Sequence, residues 1–323
     1  MSDDSVDLSI AIVSYNTRAL LLECLASVFE STQTIRVEVI VVDNHSQDDT
    51  VAAVRAAYPA LYIIMNSENK GFSKGVNQAL AVSRGRYFLM LNSDTRVLEH
   101  TCERMSACLD REPTIGAVGC KQWTGEGQLY QSCFPFPSIC DHLIYAAPVR
   151  QCVPALQKMV AATQAIDCTL SHDVDWINGA CFMVRTDLMR ACGGLDEGYF
   201  MYFEDVDLCQ AIHKRGYLIR HVADADIIHL IGRSGERERT KLNLVWEFSR
   251  IRYVEKHFPL FKRWIMKTWI ILGALVRLIS TVGRRPSTGN AYPLEMYVSL
   301  MRRLVYGREP VPSELVWAGS QRR

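Results

Sequence analysis

Residues 8–16, LSIAIVSYN, and residues 37–46, VEVIVVDNHS, follow one plan: an Ile- and Val-rich apolar run that stops abruptly in polar residues. Such a run, without alternation, reads as a strand buried on both faces. Between them, Arg18–Glu30 can place Leu21, Leu22, Leu25, Val28 and Phe29 on one side of a helix. The plan repeats. Asp48–Tyr58 reads as a helix, Leu61–Met65 as a third strand, Gly75–Ser83 as a helix, and Tyr87–Leu91 as a fourth strand ending at Asn92-Ser93-Asp94. Strand and helix alternate, so the spacing predicts an α/β fold with a Rossmann-like, mostly parallel central sheet and helices on both faces. Ligands bind such sheets beyond the carboxyl ends of the strands. The polar clusters Ser14–Asn16, Asp43–Asp49, Asn69–Lys74 and Asn92–Asp94 fall there.

The rest of the chain is less regular. Residues 115–175, with Pro135, Pro137, Pro148 and Pro154, read as loop-rich, with helix near 151–165. An apolar run follows at Ala180–Val184, a break at Gly193-Gly194, and an acidic-aromatic segment, Phe200–Arg215, that runs into a helix. At 323 residues, 49% apolar and 22% charged, the composition excludes collagen, coiled coil, a disulfide-knot scaffold and wholesale disorder. The 11 cysteines contain no CxxC pair, which argues against a zinc ribbon and a secreted disulfide framework. They read as buried small hydrophobes in a reducing cytosol. Met1–Asp7 is acidic with no apolar core, so no secretory signal is expected.

The net charge of +1 conceals an asymmetry: residues 259–323 hold 11 Lys+Arg against 3 Asp+Glu, while residues 1–258 are net acidic. Only nine uncharged residues separate Lys267 from Arg277, too few to span a bilayer. On a helical wheel, Trp264, Ile265, Thr268, Trp269, Ile271, Leu272, Leu275, Val276 and Ile279 fall on one side, and Arg263, Lys267, Arg277 and Arg284 on the other. A basic amphipathic helix with Trp anchors suits an anionic membrane surface. The alternative is a helix packed on protein. No recognisable nucleic-acid module accompanies the basic charge, so a nucleic-acid partner is not expected.

Four clusters carry candidate chemistry. Asn92 and Asp94 project to the same side of a strand end, where a carboxylate can hold Mg²⁺ or Mn²⁺ against diphosphate oxygens or simply make a turn. Glu204, Asp205 and Asp207 stand amid aromatics; they can cap a helix, or one of them, with its pKa raised, can be a general base. His229 lies among apolar residues and gains meaning only if it meets a metal carboxylate in space. Asn69–Asn77 has glycines for close backbone approach and lysines that tolerate phosphate, but not the Walker spacing. Leu8–Asn16 holds no GxGxxG, which weighs against an NAD-binding domain.

Taken in order, Ile12–Asn16, Val41–Asp48, Asn69–Asn77, Leu91–Asp94, Trp176–Cys181, Gly193–Leu208 and the HxxGxS of His229–Ser234 resemble the family-2 inverting glycosyltransferases of the GT-A fold, in particular the bacterial rhamnosyltransferase-like branch. The resemblance spans about residues 8–235. It implies a GT-A domain over 1–240, with a nucleotide-sugar half at 8–100 and an acceptor and catalytic half at 101–240. Residues 241–323 would be a helical, amphipathic, membrane-associating extension.

The same resemblance implies the roles. Ser14, Tyr15, Asn16 and Asp43 would line the nucleotide pocket, and Asn69, Gly71 and Asn77 would shape its sugar side. Asp94 would be the metal acid of a DxD-type motif whose first position is Asn92, leaving metal binding more dependent on Asp94 and His229. Asp205 would be the catalytic base, with Glu204 second. Trp176, Asn178 and Gly179 would border the acceptor. No QxxRW motif is present, so one sugar per encounter is expected. The expected reaction is inverting transfer of one sugar, from dTDP-rhamnose first and a UDP-sugar second. The expected acceptor is lipid-linked or a polysaccharide, at the inner face of the cytoplasmic membrane in cell-surface glycan synthesis. The alternative is a GT-A domain that kept nucleotide-sugar binding and lost turnover.

Overall fold

The structure, a computed structural model, describes residues 5–146, 165–230 and 239–281. Its first part is β1 (Leu8–Ser14), α1 (Arg18–Ser31), β2 (Val37–Asp43), α2 (Thr50–Ala57), β3 (Tyr62–Met65), α3 (Phe72–Val82) and β4 (Tyr87–Asn92). The strands stand in the order β3-β2-β1-β4, all parallel, with Ser14 level with Asp43 and Val13 level with Asn92. Leu8, Ile10 and Ile12 of β1 pack on Leu21, Leu25 and Val28 of α1. The opposite face receives α3 so closely that a Cβ on Gly75 would lie 3.0 Å from both Val13 methyls. Apolar side chains thus meet helices on both sides of β1, as an unalternating strand requires.

The next elements are β5 (Thr95–Val97), α4 (Thr101–Arg111), β6 (Ile115–Thr124), β7 (Leu129–Tyr130), β8 (Cys133–Phe134) and α5 (Ile139–Ala146). After them come β9 (His172–Val174), β10 (Trp176–Ile177), β11 (Cys181–Arg185), α6 (Thr186–Ala191), α7 (Glu204–His213) and β12 (Leu218–His229). The central sheet continues from β4 through β11, β6, β12 and β5. Strand β11 is antiparallel to both neighbours, β12 is parallel to β6, and β8 and β10 form a separate antiparallel pair. The sheet is therefore mixed, with its parallel half in the first hundred residues.

Two expectations are corrected. The stretch read as loop-rich from 115 begins instead with the ten-residue strand β6, buried over its first six residues. Gly116 and Gly119 hide the strand in the sequence. They are needed because a Cβ at Gly116 would lie 2.5 Å from Leu188 Cδ2, and one at Gly119 only 2.2 Å from Ile177 Cγ2. Helix α3 also starts at Phe72 rather than Gly75, directly after Gly71 with φ of 86°. The helix expected near 151–165 lies almost wholly outside the described residues.

The chain sorts into two units. The first comprises Met1–Pro135, Ile166–Phe200 and Glu204–Glu236. The second comprises Phe136–Ala165, Met201–Phe203 and Arg237–Arg323. In the second unit, α8 (Arg239–His257) and α9 (Leu260–Thr281) join through Ile251, Val254, Met266 and Ile270, with Ile139 and Leu143 of α5 against them. Arg250 is buried there, its Nη1 donating to the His142 carbonyl over 2.7 Å and its Nε to Glu247 over 3.0 Å. Burial, with Arg250 close by, pushes the His142 imidazole down to about 3.

Candidate active site

The carboxyl ends of β1, β2 and β4 carry the polar clusters, as their chain positions require. Asn16 has a left-handed backbone (φ 52°), which Asn tolerates. Its N–H donates to Ser46 Oγ over 2.9 Å and its Oδ1 accepts from the Gln47 N–H over 2.7 Å, tying the β1 and β2 loops together. Ser14 is buried and shares a hydrogen bond with Thr17, whose hydroxyl reaches Ser93 at 3.1 Å. Tyr15 is half-buried beside them. Asp43 is buried: its Oδ2 accepts from the Ser46 N–H over 2.9 Å, while Oδ1 has no partner among the described residues. A buried carboxylate oxygen without a donor is costly, so this one suits a ligand donor.

The 69–72 turn is held by residues the sequence reading passed over. Asn44 donates to the Gly71 carbonyl over 3.0 Å and accepts from Asn66 over 2.8 Å; Asn66 in turn exchanges amide bonds with Gln78. Asn69 Oδ1 accepts from the Gly71 N–H over 2.9 Å. The Phe72 N–H donates to the Phe200 carbonyl over 2.7 Å. Asn77 stands apart from this turn. Both ends of its amide bond the Leu195 backbone, at 2.8 and 2.9 Å, so it anchors the 193–197 turn to α3.

At the end of β4, Asp94 meets His229. Register does this: β12 pairs antiparallel with β5, setting His229 opposite Thr95, and the Leu230 N–H donates to the Asp94 carbonyl over 2.9 Å. The Asp94 carboxylate is buried, and its Oδ1 stands 3.4 Å from His229 Nε2, with the Asn92 amide nitrogen 3.5 Å from the same atom. Those separations are long for hydrogen bonds. They fit two donor atoms side by side on one hard cation, about 3 Å apart at Mg²⁺-type bond lengths. His229 Nδ1 is buried with no partner among the described residues, so the imidazole is not committed elsewhere. The donor set of carboxylate, imidazole and amide suits Mg²⁺ or Mn²⁺ sharing diphosphate oxygens.

The acidic pair opens α7. Asp205 is half-buried, its Oδ2 accepting from the Gly179 N–H over 2.9 Å and its Oδ1 from the Val206 N–H over 2.8 Å. Burial pushes its pKa up to about 6, against the pull of those N–H groups. Glu204 is buried, its Oε2 lacks a partner among the described residues, and burial, then the neighbouring Asp205 charge, holds its pKa well above the carboxylate range. At neutral pH Asp205 is therefore largely ionised, while Glu204 is biased toward its protonated form. Tyr202 and Phe203 just before them have φ of 73° and 66°, strained for bulky side chains.

Trp176 stacks on Phe134 with centroids 4.5 Å apart, and its indole N–H donates to the Pro135 carbonyl over 2.9 Å. Asn178 exchanges amide bonds with Gln122, and its N–H donates to the Ser132 carbonyl over 3.0 Å. The Asn92 N–H donates to the Ala180 carbonyl over 3.0 Å, so the β4 end and the Gly179 turn are joined by backbone. The structure thus gathers Asn92, Asp94 and His229, and separately Asp205 with Gly179. It commits the Trp176, Asn178 and Asn77 side chains to framework bonds.

Parallel strands with polar carboxyl ends, a carboxylate–imidazole pair and a carboxylate of raised pKa are brought together on a GT-A fold. Residues 9–131 match the family described as "Glycosyl transferase family 2", so this part of the chain is similar to that family and the protein reads as a glycosyltransferase. It is similar to the N-acetylglucosaminyl-diphospho-decaprenol L-rhamnosyltransferase of Mycobacterium tuberculosis, 28% identical over 233 residues, covering 69% of this chain and 75% of that one. A shorter match, 42% identical over 57 residues, is to the rhamnosyltransferase WbbL of Escherichia coli, covering 17% of this chain and 21% of that one. Among solved structures, the mannosyltransferase PcManGT of Pyrobaculum calidifontis, in complex with GDP-Man and Mn²⁺, overlays with a TM-score of 0.55 at 14% identity. That overlay covers 95% of this chain and 89% of that one, and it shows the fold alone.

Proposed function

We propose that the protein transfers a single sugar, with inversion, from a nucleoside-diphosphate donor to a lipid-linked or polysaccharide acceptor, with a divalent cation. L-Rhamnose from dTDP-rhamnose is the first reading and a UDP-sugar the second. Two relatives named as rhamnosyltransferases support it, one of them named for a decaprenol-diphosphate-linked acceptor. The observation that carries the proposal is the Asp94–His229 pair, 3.4 Å apart at the carboxyl edge of the parallel strands. Mg²⁺ or Mn²⁺, held by Asp94 and His229 with Asn92 beside them, would neutralise charge on the departing diphosphate.

The chain's own residues do the rest. The open Asp43 Oδ1 suits a base N–H or a ribose hydroxyl. The Asn69–Phe72 turn, fixed by Asn44, offers close backbone approach on the sugar side. Asp205, aimed by the Gly179 N–H, accepts the acceptor hydroxyl proton as that oxygen attacks the anomeric carbon from the face opposite the diphosphate. Glu204, biased by burial and the neighbouring Asp205 charge toward its protonated form, is less suited to that task, which supports Asp205 as the base.

Membrane association at the cytoplasmic face belongs to the same proposal. No helix among the described residues is long and apolar enough to cross a membrane. Yet α9 exposes Leu260, Phe261, Trp264, Ile265 and Leu272 on one side, while Met266 and Ile270 face the protein. The half-buried Trp269 sits with the protein side, its N–H donating to the Leu143 carbonyl over 2.8 Å. The packed helix and the interfacial helix are two faces of one element.

The test is thermal stabilisation by dTDP, UDP, GDP and CDP, each with and without Mn²⁺, on wild type and Asp94→Ala. A nucleotide at about 100 times its Kd stabilises by about 2.7 kcal/mol. Metal-dependent stabilisation by one nucleotide, lost in Asp94→Ala, is expected. No response to any of them at millimolar concentration would favour a domain that lost its donor site.

A further inference from the structure

Away from the carboxyl edge of the parallel strands, three residues distant in sequence converge. Cys133 of β8, Cys168 just before β9, and His221 of β12 are all buried, and one ligand atom from each lies within 4.8 Å of the others. The two sulfurs are 3.2 Å apart. His221 Nε2 is 2.9 Å from the Cys168 carbonyl, and its Nδ1 is buried with no partner among the described residues.

We propose that Cys133, Cys168 and His221 bind a thiophilic divalent cation of the Zn²⁺ class, with two thiolate sulfurs and the His221 Nδ1 as ligands and an exogenous oxygen in the fourth position. Three facts carry this. First, a carbonyl can accept only from a protonated Nε2, which leaves the lone pair on Nδ1. A metal-bound histidine has this arrangement, its other N–H held by a carbonyl. Second, that lone pair is sealed from water, a costly state unless something accepts it. A disulfide between the cysteines would leave it stranded; a cation would use it. Third, sulfurs on a tetrahedral ion with Zn–S bonds of about 2.3 Å stand about 3.8 Å apart. Reaching that from 3.2 Å takes about half the movement needed to close to the roughly 2.04 Å of a disulfide.

Binding is balanced by proton release: each sulfur still protonated gives up its proton as its sulfur–metal bond forms, and the neutral imidazole gives up none. The location gives the ion a task. The first unit ends at Pro135 and resumes at Ile166, so Cys133 and Cys168 stand just inside the two ends of the excursion between them. The ion would staple that neck, closing the intervening loop. It would also fix β8, whose Phe134 stacks on Trp176 and whose Cys133 pairs with Ile177.

The test uses the untagged full chain, kept reduced and free of chelator, and none of its readouts depends on glycosyl transfer. Elemental analysis, Zn²⁺ titration against a chromophoric chelator, proton release and Tm are read for wild type, Cys133→Ser and Cys168→Ser. Cys192→Ser, a half-exposed site outside the cluster, is the control. The expected result is stoichiometric Zn²⁺, proton release on binding, and a Tm rise that the control keeps and both cluster variants lose. Should those variants fail to fold, Co²⁺ added to wild type decides, through thiolate-to-metal charge-transfer absorption. Wild type that stays metal-free with both thiols reduced, a disulfide between them under these conditions, or Zn²⁺ binding unaffected by either serine would overturn the proposal.

Discussion

The backbone N–H of Gly179 donates to Oδ2 of Asp205 over 2.9 Å, so the carboxylate at the head of α7 is aimed by the turn that follows β10. The two acids of that turn of helix then separate by environment. Both are raised by burial, Asp205 to about 6, and Glu204 is held well above the carboxylate range with the Asp205 charge adding to burial.

Transfer should therefore require ionised Asp205, and its rate should rise with pH along a limb near 6 before levelling. Asp205→Asn is expected to lower turnover by about 10²–10⁴-fold, the usual worth of a general base, with nucleotide stabilisation retained. Glu204→Gln should keep most turnover. Steady-state rates across pH 5–9 check both; Glu204→Gln losing transfer while Asp205→Asn keeps it would reverse the assignment.

Glu204 also makes a stability prediction. Its folded pKa lies above the unfolded value of about 4.3, so the folded state binds the extra proton. Its contribution is fully present below that unfolded value and is lost as pH rises toward the folded one. Glu204→Gln cannot ionise, so its Tm should gain on wild type as pH rises from 5 to 9. Parallel Tm curves for the two proteins would show that Glu204 is not held protonated.

Asp94 and His229 should divide the metal requirement. His229→Ala is expected to raise the Mn²⁺ concentration for half-maximal nucleotide stabilisation by roughly tenfold or more, each tenfold being about 1.4 kcal/mol. Asp94→Ala should abolish the metal-dependent part. An unchanged Mn²⁺ titration in His229→Ala would make that imidazole a framework residue.

The parallel half of the fold was legible because β1, β2 and β4 are apolar runs, broken only by Ser9 and Glu38, that end in polar residues. The strands that complete the sheet were not. The glycines of β6 weaken its signal, and they are there for Leu188 and Ile177, neighbours that no local window reveals. Asp94 was readable from its strand end, but its meeting with His229 depends on β5–β12 register. Asn44 lies inside the Asp43–Asp49 cluster but without a role there, and Asn66 and Gln78 carry no local signal, because only the fold makes the three the brace of Gly71. The cysteines are buried as read, Cys140 and Cys192 excepted among the described ones, but their spacing hides one grouping. Absence of CxxC excludes a local ribbon but says nothing of Cys133, Cys168 and His221, which three separate segments bring together.

Gly71 should be intolerant of a side chain for two separable reasons. Its φ of 86° is strained for alanine, and a Cβ would lie 2.6 Å from the Phe200 carbonyl oxygen that accepts from Phe72. Gly127, at φ 78°, has nothing within 4 Å of an added Cβ, so Gly127→Ala reports the backbone cost alone. Denaturant unfolding should show about 1 kcal/mol lost in Gly127→Ala and about 2–4 kcal/mol in Gly71→Ala. Nucleotide binding should be impaired only in the latter. Equal losses in the two variants would mean that Phe200 moves aside freely and the turn is not rigid.

The exposed side of α9 should bind lipid without contributing to folding. Phe261 and Trp264 are 61% and 70% exposed, whereas Met266 on the opposite side is 1% exposed. A large apolar side chain contributes about 1.5–3 kcal/mol when buried. Phe261→Ser with Trp264→Ser should therefore weaken sedimentation with anionic vesicles by at least about 100-fold and leave Tm unchanged. Met266→Ser should lower Tm instead. Salt should weaken the wild-type interaction, since the basic charge of residues 259–323 adds an electrostatic part. A double variant that binds vesicles as wild type does would remove α9 as the membrane contact, and a lowered Tm in that variant would assign its exposed stripe to protein packing.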